Sequence, residues 1–357
     1  MEPTNLSFPW LELIDRPAFC VKDGVITAVN SAAKHQLLQT GTDIHEIVSD
    51  HFSQYASFEN GSLHLPITAG GVTRNATVTR TKEYDIFLLD PSADDAQLQA
   101  LTLAAKQLRI PLTNIMLVAD RLLSKLDAED ASSQQQANLM NQGLFQILRI
   151  ISNMSDAGAY QQQDQKYMET VNLTAVIDEV MEKIQTTLTG SPIQLHYTSL
   201  DPVVFGLANP EKIERAVYNL LSNAAKFTPP GGSITAELTA NGNFLSFTVC
   251  NTTADASIGQ NFWNRYQREP AIEESRFGLG LGMTLVQAVA ASHGGTVLID
   301  HPASDKTRVT MTIAIQNNNS GNLHSPIMRI GDYAGGRDKS LLELSEFLPS
   351  TAYEDLY

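Results

Sequence analysis

The sequence predicts a multidomain α+β protein: a small α/β module first, an antiparallel helical hairpin next, and an α/β sandwich towards the C-terminus. Three observations carry that expectation. Short β-type runs broken by turn residues fill positions 8–90, a 3,4 spacing of apolar residues runs from Leu98 to Met154, and strands mix with amphipathic helices from 170 to 316. The implied boundaries are 1–92, 93–166 and 167–316, followed by a tail at 317–357 that is acidic and read as flexible.

Within the first module, AFCVKDGVITAVN gives two strands around Lys22-Asp23-Gly24, which is a hairpin signal, and SAAKHQLLQ gives a short helix. SLHLPIT, TRNATVTRT and YDIFLLD supply three further strands before Pro91. A strand pair, small helices and three strands resemble a PAS-type sensor module, a sheet and helices around a small cavity. An unrelated small α+β domain fits the same pattern.

The helical region is regular. Leu98, Leu101, Ala105, Leu108, Leu112, Ile115, Ala119, Leu122 and Leu126 alternate steps of three and four, which is the seam of a coiled coil. After the polar break at Asp127 to Gln134, residues Ala137, Met140, Leu144, Ile147, Ile151 and Met154 repeat the alternation. Two such helices joined by a short loop form a hairpin, and sustained seams double it into a four-helix bundle in a homodimer through residues 93–160. The alternative is a hairpin packed on another domain of its own chain.

The α/β region opens with the amphipathic helix LTAVIDEVMEKIQ, then strand-like IQLHYTS and PVVFGLA. The helix EKIERAVYNLLSNAAKF places Asn219 and Asn223 one turn apart on one face, where two carboxamides can reach a phosphate or a metal carried by one, and Pro-Pro-Gly-Gly stops it. SITAELTA and FLSFTVC are strands joined at Asn241-Gly242-Asn243, and LGMTLVQAVAASHGG is a helix followed by the strands GTVLID and RVTMTIAIQ. His293 is read as a helix C-terminal residue suited to the dipole. In the tail, SLLELSEFL forms one amphipathic turn or two, able to dock on a partner or on its own body.

Composition limits the function. A net charge of -15 argues against a nucleic-acid or anionic-membrane surface, since phosphate binding needs clustered Lys and Arg. No apolar run is long enough for a membrane span, and the first residues, MEPTNLSFPW, lack a signal-peptide pattern, so the expected location is cytoplasmic. Cys20 and Cys250 read as buried small apolar residues, and His35, His45, His51 and His64 lack ligand spacing.

The order of hairpin, NLLSNAAKFTPPGG, GLGLGM and HGG resembles a bacterial sensor histidine kinase, well over 90–316 and loosely over 8–90. The resemblance implies an ATP-binding fold shared with gyrases and some heat-shock chaperones, ATP and Mg²⁺ as ligands, and a response-regulator-like partner. It implies nucleotide-binding roles for Asn219, Asn223, Lys226, Phe227, Asn251, Gly278, Gly280 and Gly282, with Asn223 as the Mg²⁺ ligand. The resemblance makes Gly278, Gly280 and Gly282 the glycine motif of an ATP lid, and Asn261 to Tyr266 resembles the aromatic segment that packs under that lid.

The departures from that pattern bear on activity. Where the family has its phosphoacceptor histidine and an adjacent acid, this chain has Lys106 and Gln107, and the position used for dephosphorylation is Ile110. An exposed primary amine is almost fully protonated at neutral pH and a carboxamide is no general base. No histidine lies between His64 and His196. At the adenine end Asn251 replaces an aspartate, and Thr253 and Asp255 replace glycines, so a charge-assisted bond of about 1.5 to 3 kcal/mol is lost and ATP binding is expected to be weak. The expected function is a histidine-kinase-like pseudokinase that works by binding, as a homodimer or with an active kinase. The alternative is a weak ATP-binding enzyme that phosphorylates a partner or hydrolyses ATP.

Overall fold

The computed structural model describes residues 8–36, 38–90, 95–123, 131–159, 168–199, 203–253, 281–315, 334 and 336–356. The N-terminal module starts with β1 (Ala18–Lys22) and β2 (Val25–Val29). Between them Asp23 and Gly24 have φ of 51° and 80°, the left-handed pair that a two-residue hairpin needs. Asn30 then caps α1 (Ser31–Lys34): its Oδ1 accepts from Ala33 N at 2.9 Å, while its Nδ2 donates to Arg16 O at 2.6 Å and so ties down the entering chain. Short helices α2 (Ile44–Val48) and α3 (Phe52–Ser57) lead to β3 (Ser62–Ala69), β4 (Val72–Arg80) and β5 (Asp85–Leu89). Phe19 and Phe87 stack at 4.5 Å in the core between sheet and helices, beside Leu65 and Val78.

The hairpin consists of α4 (Asp95–Leu123) and α5 (Ala131–Ala159). Ala105, Leu112, Met116, Ala119 and Leu123 are buried, whereas Leu108, Ile115 and Leu122 of the expected seam are 49%, 57% and 59% exposed. Within this chain α4 packs along a line rotated from the expected seam. Pro111 sits inside α4 and removes one backbone donor there.

The α/β domain contains β6 (Glu169–Asn172), α6 (Leu173–Thr187), β7 (Gln194–Thr198), β8 (Phe205–Ala208), α7 (Pro210–Phe227), β9 (Ser233–Asn241), β10 (Phe244–Thr252), α8 (Leu281–Ser292), β11 (Val297–Ala303) and β12 (Lys306–Ala314). Asn209 caps α7 and Pro210 occupies its first turn, where a missing N–H costs nothing. Burial alternates along β9 and β10, so one sheet face meets α6, α7 and α8 and the other meets solvent. β6, which the sequence reading left unassigned, pairs antiparallel with β8 in a separate ribbon.

The two sheets are one. The described strands run β2-β1-β5-β4-β3-β11-β12-β10-β9-β7, because β3 pairs antiparallel with β11 through Ser62↔Ile299, Leu63↔Leu298 and His64↔Val297. β7 and β9 are parallel and the other pairs in this sheet antiparallel. Cys20 is buried and Cys250 only half-buried, because Cys250 faces the solvated side of β10. A final helix, α9 (Lys339–Glu343), and a 3₁₀ turn at Ser350–Leu356 lie against α5, α6 and α7. No helix among the described residues is long and apolar enough to cross a membrane.

Candidate functional site

Helix α7 carries the two asparagines into the space between the sheet and α8. Asn219 is fully buried: its Nδ2 donates to Arg215 O at 2.9 Å, and its Oδ1 has no partner among the described residues. That oxygen faces Gly282, in the first turn of α8. A Cβ added at Gly282 would lie 2.7 Å from Asn219 Oδ1 and 3.8 Å from Asn223 Nδ2, so glycine permits the close approach of α8 to both carboxamides. Asn219, Asn223 and Gly282 therefore converge, although 59 residues separate Asn223 from Gly282.

A small cavity of about 40 Å³ adjoins them, lined by Asn223, Phe227, Asn251, Thr253 and apolar side chains including Leu220, Val249, Met283 and Ile299. Asn251, buried on β10, donates from Nδ2 to Thr228 Oγ1 at 3.3 Å and to Thr252 O at 3.1 Å, which leaves its carbonyl oxygen as the atom still open to a donor. Thr253 Oγ1 is buried with no partner among the described residues. His301, Thr307 and Val309 also line the cavity. Sequence reasoning passed over them because they reach it from the hairpin of β11 and β12, and only strand register places them there.

A nucleotide fits this residue set in part. An unpartnered buried oxygen, a partly exposed carboxamide and a glycine-permitted helix start suit phosphate and its metal. Asn251 retains one acceptor for a base but no charge. Among the described residues no cluster of His, Cys, Asp and Glu is arranged to hold a metal ion directly. Gly278, Gly280, Asp255 and Asn261 to Tyr266 lie outside the described residues.

Lys226 does not line the cavity. Its Nζ donates to Glu346 Oε2 at 2.6 Å, in the segment after α9. Burial pushes the Glu346 carboxyl up, but Arg149 and Lys226 outweigh burial and hold it below the usual value. On α4, Lys106, Gln107 and Ile110 are all exposed, Ile110 at 69%. Arg109, beside them, donates to Ser152 Oγ at 3.1 Å across the hairpin.

His293 differs from its expected role as a cation at a helix end. Its Nε2 accepts from Asn209 N at 3.0 Å, so the proton resides on Nδ1, which donates to Val289 O at 2.7 Å. Burial lowers its pKa to about 4, and the neutral ring couples the end of α8 to the cap of α7.

Residues 208–317 match the family described as Histidine kinase-, DNA gyrase B-, and HSP90-like ATPase. The chain is 24% identical over 334 residues to Hybrid signal transduction histidine kinase D of Dictyostelium discoideum, covering 85% of this chain and 21% of that one. It is 23% identical over 265 residues to Sensor histidine kinase CusS of Escherichia coli O157:H7, covering 66% and 53%. The chain thus spans between about a fifth and about half the length of these relatives. A solved structure of histidine kinase ThkA in complex with response regulator protein TrrA aligns at 15% identity over 87% of this chain and 99% of that chain, with a TM-score of 0.41.

Proposed function

We propose that this chain, whose residues 208–317 match the histidine kinase-, DNA gyrase B-, and HSP90-like ATPase family and which is similar to sensor histidine kinases, is a pseudokinase of that kind, a dimeric regulator or scaffold of two-component signalling that does not phosphorylate its own hairpin. One observation carries the proposal: Lys106, Gln107 and Ile110 stand exposed on α4 where acceptor, acid and water-positioning groups are expected. None of the three is an imidazole acceptor, a carboxylate base or a polar water-positioning group. The N-terminal module is read as a PAS-like sensor.

Dimerisation is supported by the apolar side chains left open on α4. Leu108, Ile115 and Leu122 recur every seven residues, as do Leu103, Ile110 and Leu117, and all are about half exposed or more. Such a face buries itself in a four-helix bundle, either with a second copy or with an active kinase. A response-regulator-like protein is the further partner class.

ATP, when bound, supplies the phosphoryl group and its Mg²⁺. Asn219 and Asn223 would hold the phosphate side and Asn251 would accept from the base. These residues also favour a second reading, a weak ATP-binding enzyme acting on a partner or on water. Its support is the unpartnered Asn219 Oδ1 beneath Gly282.

Incubation with labelled ATP and Mg²⁺ tests the proposal. No acid-labile label is expected on the purified chain, and stoichiometric label would overturn the pseudokinase reading. Calorimetry at millimolar ATP separates the two readings, since absence of binding ends the enzymatic one.

A further inference from the structure

Among the described residues after the α/β domain, Glu343 and Glu346 each bridge two domains. Glu343, with no exposed surface, accepts from Arg149 Nε of α5 at 3.2 Å and pairs with Arg215 of α7. Glu346 pairs with Arg149 at 3.1 Å and with Lys226 of α7 at 2.6 Å. Each anion therefore joins the hairpin to the α/β domain, and neither pairing is local in sequence.

The same segment is recognised through its backbone. Gln142, Gln146 and Arg149 form one stripe of α5 at i, i+4 and i+7. Gln142 Nε2 donates to Leu348 O at 2.7 Å and Gln146 Nε2 to Ser345 O at 2.9 Å, satisfying carbonyls beyond the end of α9. Leu342, Leu344 and Tyr353 are completely buried, and the Tyr353 ring meets Phe145 edge-on at 5.2 Å. Main-chain ligation, paired anions and buried anchors together make a peptide-binding surface.

We infer that the cleft between α5 and α7 is a binding surface for an acidic amphipathic segment, that residues 336–356 occupy it in cis, and that their docking latches the α/β domain to the hairpin. The latch is independent of nucleotide chemistry. Because its carboxylates need cations from both domains, docking of the segment and closure of the domains stabilise one another.

The test uses the full chain with a protease recognition sequence inserted between residues 325 and 326, cleaved after folding. The C-terminal fragment is expected to stay with the body on size exclusion at micromolar concentration. Lys226→Glu is expected to weaken retention about tenfold, the scale of losing one partly buried ion pair, and Glu346→Lys, which loses the pairs with both Lys226 and Arg149, by more, with the double variant tighter than Glu346→Lys. Both positions are partly exposed, and circular dichroism checks the fold. Release of the wild-type fragment by high salt is expected to raise the radius of gyration in small-angle scattering. A wild-type fragment that separates without salt, a double variant no tighter than Glu346→Lys, or release without expansion would each overturn the latch.

Discussion

Gly61→Ala tests the seam that fuses the two sheets. Gly61 has φ of 91°, and a Cβ there would lie 2.0 Å from Ile299 O and 3.0 Å from Asp300 Cα, both backbone atoms of β11. Neither atom can rotate aside, so β3 and β11 must part by roughly 1 Å, enough to break hydrogen bonds whose usual length is about 2.9 Å. The positive φ costs about 1–2 kcal/mol for alanine. Losing two ladder bonds adds about 0.5–1.5 kcal/mol each. Gly24→Ala isolates the first contribution, because Gly24 has φ of 80° with nothing within 4 Å of its added Cβ. Urea unfolding is therefore expected to show Gly61→Ala less stable than Gly24→Ala by about 1–3 kcal/mol. Hydrogen exchange at Ser62 to His64 should accelerate only in the first variant. Equal stabilities within about 0.5 kcal/mol, the usual scatter of surface substitutions, would refute the seam.

Three further outcomes are expected. Ile115→Asp places a charge on the open face of α4 without touching the intrachain core, so sedimentation should show a dimer weakened by about 100-fold or more with unchanged helicity. Asn251→Asp restores a charged acceptor and should raise ATP affinity about tenfold in calorimetry, whereas Asn223→Ala should remove its Mg²⁺ dependence. The folded pKa of His293, about 4, lies below its ordinary value of 6.5, so the unfolded chain binds the proton first. Stability from this group is full above about pH 6.5 and is lost as pH falls towards 4, by up to about 3 kcal/mol, and His293→Gln should flatten that part of the urea midpoint–pH curve.

What the sequence could tell follows from how local each signal is. Asp23-Gly24 and Asn241-Gly242 announce their hairpins because turn geometry is decided by two or three residues. Asn209-Pro210 starts α7 for the same reason, and the NxxxN spacing fixes the shared face of Asn219 and Asn223. The hairpin helices were legible from heptad spacing, but heptads do not say which partner a seam meets. Ala105, Leu112 and Ala119 face α5, while Leu108, Ile115 and Leu122 stay open. Pairing of residues 62–64 with 297–299 joins strands that each look complete, and edge pairing through the backbone leaves no side-chain signature. The cations that receive Glu343 lie 194 and 128 residues away, so SLLELSEFL showed its amphipathic character and not its site.

The ties between the domains bear on the proposed loss of phosphotransfer. Transfer of a phosphoryl group from the α/β domain to the hairpin requires reacting atoms about 3–3.5 Å apart, and release afterwards, so the domain must take up at least two positions. Here Arg149 Nη2 donates to Ser222 Oγ at 2.8 Å, and Arg215 Nε to Asp156 Oδ2 at 2.9 Å, both across the interface of α5 and α7. Glu343 and Glu346 span that interface a second time, and β3 anchors the far edge of the sheet to the N-terminal module. Removing Glu343 alone would strip one anion from each of two buried guanidinium groups, leaving Arg149 with Glu346 and Arg215 with Asp156. Such ties oppose a repeated transfer stroke. A chain that reports its state by opening or holding a binding surface has no need of that stroke, and Lys106 is then free to be any exposed residue that keeps α4 helical.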